Sequence, residues 1–149
     1  MRTRVTVWCG VILAVACSAC GGGVSRQEPP PAHVVVGDVA LTSVRASYCW
    51  SRAGHTRCVH TLGPMALLEQ VGDRPPLVTP QASARIAFDA PPLPDTVQVE
   101  EMTTTRTYAV PLGRGGVLAL PEMPGLYVYL VHARWKQGDA SYAFWVQVV

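Results

Sequence analysis

Apolar and polar side chains alternate most regularly toward the C-terminus. Tyr127, Tyr129, Val131, Ala133 and Trp135 fall on one face of a strand, and His132, Arg134 and Lys136 mark the other. Gln137-Gly138-Asp139 reads as a hairpin turn. Beyond it Tyr142, Phe144, Val146 and Val148 share one face of a closing strand, and Ala143, Trp145, Gln147 and Val149 share the opposite one. Ser83 to Asp89 repeats the pattern, with Ala84, Ile86 and Phe88 set against Ser83, Arg85 and Ala87. Further strands are predicted over 33–41, 44–50, 56–60, 96–102, 107–110 and 117–120, with a turn over 121–125. The one helical turn is predicted over Pro64 to Val71, with proline at its start and Met65, Leu67 and Leu68 available for burial. Short strands punctuated by Gly and Pro predict an all-β sandwich, not a βαβ fold.

The N-terminus follows a different pattern. Arg2 and Arg4 precede an uncharged, mostly apolar run from Val5 to Ala16, then an Ala19-Cys20 junction and three glycines. The run is shorter than the roughly 20 residues that span a bilayer core, as befits the apolar part of an export signal. Gly21, Gly22, Gly23 and the triplet Pro29-Pro30-Pro31 then make an extended tether. The chain thus divides into a signal over 1–19 (or 1–16), a Gly/Pro-rich tether over 20–32 and one β domain over 33–149.

The junction resembles the lipobox of bacterial lipoproteins, an aliphatic residue and two small ones before the cysteine that takes the lipid. Ala14-Val15-Ala16-Cys17 keeps that pattern more closely than Cys17-Ser18-Ala19-Cys20, which has cysteine at the aliphatic position. Cysteine bookkeeping favours the second site. Cutting before Cys20 removes Cys9 and Cys17 and leaves one cysteine for lipid and two for a disulfide. Cys20 is therefore the expected attachment residue, with Cys17 the alternative. The resemblance implies an extracytoplasmic domain whose membrane contact is its N-terminal lipid.

Charge sharpens this division. The chain has twelve Lys plus Arg against ten Asp plus Glu, and Arg2 and Arg4 belong to the signal, so the exported part is near neutral. Electrostatics gives no case for a nucleic-acid partner.

Pro124-Gly125-Leu126-Tyr127-Val128-Tyr129 resembles the entry to the penultimate strand of immunoglobulin-like domains, where a tyrosine after a Gly-bearing turn bonds back to the backbone. Tyr127 is the matching position. Position 129 carries tyrosine where such strands usually carry the second core cysteine, so the likeness is to modules without the inter-sheet bridge. Ser47-Tyr48-Cys49-Trp50, Cys58, Val78-Thr79-Pro80 and Gly138 to Phe144 resemble a group of small, uncharacterised bacterial lipoproteins. That resemblance implies a cell-surface location and an immunoglobulin-like β-sandwich, and no catalytic activity.

The chemistry-bearing residues are few. Cys49 and Cys58 flank a Gly-bearing loop between two candidate strands, and outside the cytosol the expected outcome is a disulfide. The alternative is a zinc or copper site made of Cys49, His55, Cys58 and His60, although the spacing fits no established zinc motif. His33 and His132 read as isolated surface or edge residues. The chain has no Gly-x-Ser-x-Gly elbow, Glu100 and Glu101 point to opposite faces of their strand, and Gly113-Arg114-Gly115-Gly116 lacks the ending of a phosphate-binding loop. Neither an enzyme nor a cofactor is expected. Trp50, Trp135 and Trp145 are candidates for an aromatic binding surface. The functional expectation is a membrane-anchored binding or structural module facing an envelope protein or polymer.

Overall fold

The computed structural model describes residues 27–103 and 105–149. The expected signal, Cys9, Cys17, Cys20 and the first part of the expected tether lie outside the described residues. In chain order the first strands are β1 (Ala32–Val36), β2 (Val39–Leu41), β3 (Val44–Arg52) and β4 (His55–Val59). Helix α1 (Pro64–Val71) follows, then β5 (Leu77–Val78), β6 (Ser83–Phe88), β7 (Gln98–Met102) and β8 (Thr107–Val110). The chain closes with β9 (Leu112–Gly113), β10 (Val117–Ala119), β11 (Gly125–Trp135) and β12 (Gly138–Val148).

Two sheets pack as an immunoglobulin-like β-sandwich. The smaller has strand order β2-β1-β6-β10-β9 and the larger β4-β3-β12-β11-β7-β8. Short β5 joins the end of β12 in parallel, through Gln147↔Leu77 and Val148↔Val78. Alternation decides the core. Val34, Ala84, Ile86 and Leu118 of the smaller sheet meet Tyr129, Val131, Tyr142, Phe144, Val146 and Val148 of the larger. At one end of this core Trp135 contacts Trp50 and Phe88 edge-on, with ring centroids 5.7 and 5.3 Å apart.

Several boundaries differ from those expected. The valine-rich stretch 33–41 is a hairpin, β1 paired to β2 about Gly37-Asp38, with Val36 opposite Val39. In the C-terminal hairpin Trp135 pairs with Gly138, so the turn is Lys136-Gln137 and Gly138 already belongs to β12. Gly138 is a packing residue, because a Cβ there would collide with the Cys49 carbonyl oxygen of neighbouring β3.

The folded domain also begins before the expected boundary at 33. Pro29 and Pro30 are fully buried, and Ala32 opens β1. Proline backbone makes no N–H demand and leaves its carbonyls free to accept. Pro29 accepts from Arg45 Nη1 at 3.0 Å, Pro30 from the Tyr142 hydroxyl, and Pro31 from the Asp89 amide at 3.3 Å.

Candidate functional site

The outer face of the larger sheet has two halves. Toward one end, Val128 of β11 and Ala143 and Trp145 of β12 are roofed by Leu68 of α1, with Val44, Met102 and Leu130 packed around them. Pro64 begins the helix without needing an N–H partner, and Gly72 closes it in the left-handed conformation. Met65 stays half-exposed, and Leu68 carries the contact.

Toward the other end the same strands present polar groups. The register sets Ser141 of β12 directly opposite His132 of β11, while Glu100 of β7 opposes Leu130, one step along the same face. Ser141 Oγ lies 3.0 Å from His132 Nδ1, and His132 Nε2 lies 3.2 Å from Glu100 Oε2. Because a carboxylate only accepts, Nε2 carries the proton in the neutral ring and donates it to Glu100. Nδ1 then has its lone pair free, and the Ser141 hydroxyl donates to it. Glu100 and His132 help to line a cleft of about 480 Å³ with Asp95, Gln98, Arg134 and Asp139. The side chains of His132 and Glu100 are 37% and 39% exposed.

This three-residue row corrects the reading of His132 as isolated. Glu100 and Glu101 do point to opposite faces, as alternation requires. Glu101 opposes Tyr129 on the core side, and burial raises its carboxyl above the ordinary range. Burial likewise raises the Tyr129 and Tyr142 hydroxyls. Sequence alone hid the row because turn placement fixes hairpin register. Centring the turn on Gly138 moves the residue opposite His132 away from Ser141. Lys136-Gln137 is the signal that would have paired them.

Cys49 and Cys58 are bonded as a disulfide. Ala53 and Gly54 both have positive φ, giving a two-residue turn whose twist suits a tight hairpin. From its closing pair Arg52↔His55, alternation makes Ser51↔Thr56 and Cys49↔Cys58 the close, non-hydrogen-bonded pairs. The Cα atoms of Cys49 and Cys58 are 4.0 Å apart, and Ser51 Oγ and Thr56 Oγ1 are 2.7 Å apart. The metal alternative of Cys49, His55, Cys58 and His60 is overturned, because the bonded sulfurs offer no thiolate to a cation.

The expected aromatic surface is also corrected. Trp50 and Trp135 pack between the sheets, and Trp145 lies under α1; all three are buried. A β-bulge in β3 explains part of this. Tyr142 opposes Arg45 but Ala140 opposes Tyr48, so Ala46 and Ser47 share one partner and the inward phase changes from odd to even. Tyr48 and Trp50 thereby turn into the core. His33 of β1, in the smaller sheet, is not isolated either, and bonds Asp89 at 2.6 Å. The Tyr127 hydroxyl donates to the Met123 carbonyl at 2.9 Å, the backbone bond that defines a tyrosine corner.

Comparison with protein-family models, with curated proteins and with solved structures gives no match. Residue geometry alone carries the functional reading.

Proposed function

We propose that this protein is a lipid-anchored, extracytoplasmic binding module of the bacterial cell envelope, held to the membrane through Cys20 or Cys17. The observation that carries the reading is the Cys49–Cys58 disulfide, since such bonds persist in oxidising compartments. It agrees with the Arg2, Arg4 and Val5–Ala16 export pattern and gives the second and third of the three distal cysteines their use. The polar cleft around His132 is the ligand-facing surface in this reading. Its mixture of carboxylates, amide, imidazole and guanidinium suits a hydroxylated envelope polymer.

Growth of expressing cells with a labelled fatty acid tests the anchor. The full chain is expected to carry label, to partition with membranes and to lose both properties when Cys17 and Cys20 are replaced together by alanine. Label retained in that double variant would refute the anchor, and the two single variants identify the attachment residue.

A further inference from the structure

The Ser141–His132–Glu100 row can do more than bind. We propose that it is a hydrolytic acyl-transfer site in which Ser141 is the nucleophile, His132 its general base and Glu100 the group that orients the imidazole. The inference goes beyond the binding-module reading and does not depend on the lipid anchor.

Three observations converge on it. The hydroxyl, the imidazole and the carboxylate are joined in one line at 3.0 and 3.2 Å, with the tautomer that leaves a ring lone pair on the serine. Each comes from the interior of a different strand, β12, β11 and β7, so backbone ladders fix all three Cα positions. His132 and Glu100 line a cleft of about 480 Å³, large enough for a small ester, and Ser141 reaches it through its bond to His132. Usual triads bond the serine through the other imidazole nitrogen. The proton path needs only one bare and one protonated nitrogen, and either ring orientation supplies that.

In the first step Ser141 Oγ attacks the acyl carbon as its proton moves to His132 Nδ1. The new Oγ–C bond forms, the ester C–O bond breaks, and the alcohol leaves with the proton from Nδ1. Water then attacks the acyl-serine, giving one proton to Nδ1. The acid departs, and Ser141 Oγ recovers that proton. Arg134 sits on the same face one pair further along, diagonal to Ser141, and is the cation nearest in register for the developing oxyanion. Asp95, Glu100 and Asp139 outnumber it in the cleft, so the substrate class is a small ester with a neutral or cationic alcohol part, not an anionic one.

The test treats the full chain in detergent with a fluorophosphonate probe and, separately, with p-nitrophenyl acetate. The probe is expected to phosphonylate Ser141, with fluoride and the serine proton leaving, and peptide mass analysis locates the adduct. S141A, with a native melting temperature, should show no adduct and no ester turnover. H132N should slow both reactions on the order of 100-fold or more, the contribution typical of a positioned base. With the neutral p-nitrophenyl acetate, whose binding does not draw on the cleft's charge, E100Q should lower kcat while KM stays unchanged, and E100D should restore part of it. No adduct in the native protein would overturn the proposal, as would an adduct that persists in S141A or an E100Q effect confined to KM. None of these outcomes alters the lipid-labelling result, so the two readings fail separately.

Discussion

The two halves of the outer face of the larger sheet use the same strands and are stabilised in different ways. Where Val128, Ala143 and Trp145 line up, the face is apolar and α1 covers it through Leu68. A few residues along β11 and β12, His132 and Ser141 leave the face polar and open, and the neighbouring β3–β4 hairpin is stapled by Cys49–Cys58. Burial holds one half and a covalent bond secures the edge beside the other. An open polar row lacks the desolvation energy of a roofed one, so the scaffold around it has to be fixed from elsewhere.

The largest effect that separates the halves is expected at Leu68. It is 1% exposed, and Leu68→Ala should cost about 3 kcal/mol through lost burial and a residual cavity. Ser141→Ala, on the same face, should cost no more than about 1 kcal/mol, the ordinary worth of its one part-buried hydrogen bond. Urea denaturation of both variants checks this. Equal costs at the two positions would dissolve the distinction between a structural half and a functional half.

The second effect concerns the staple. Cys49 and Cys58 are separated by nine positions, and replacing both by alanine should cost about 2.5 kcal/mol in the chain-entropy account of so short a loop. Thermal unfolding with and without reductant gives the measurement. The native protein should lose stability on reduction and the alanine pair should be indifferent to reductant. A native protein that melts identically in both conditions would show that the polar half is held by its ladders alone.

How far these features are legible in the sequence follows the range of the interaction. The alternation of β11 and β12, the helix over Pro64–Val71, the Cys49–Cys58 bond and the Tyr127 corner are encoded within a few residues of each other, and reading along the chain finds them. The burial of Trp50 depends on a bulge at Ala46-Ser47, which only pairing with β12 defines. The role of Gly138 depends on a carbonyl of β3, and the docking of Pro29 and Pro30 depends on Arg45 and Tyr142. Ser141, His132 and Glu100 meet because two registers coincide. Local pattern places each on its strand, but centring the turn on Gly138 shifts the pairing by three residues and separates them.

The smallest and sharpest contrast lies between two adjacent carboxylates. Glu100 faces the open row, and Glu101, the next residue, faces the core beside Tyr129, where burial raises its carboxyl above the ordinary 4.5. A raised carboxyl means that the folded state binds this proton more tightly than the unfolded state does. Between 4.5 and the raised value the native protein therefore holds more protons, and stability falls as pH rises through that window. Above the window the full cost of an ionised, partly buried carboxylate is present. Glu101→Gln should remove this part of the pH slope and make the protein more stable than the native one at neutral pH. Glu100→Gln, on the opposite face of the same strand, should leave that slope in place. Denaturation midpoints measured across the acid range decide it. If Glu101→Gln keeps the native slope, or Glu100→Gln abolishes it, the separation of the two faces by a single residue of β7 fails.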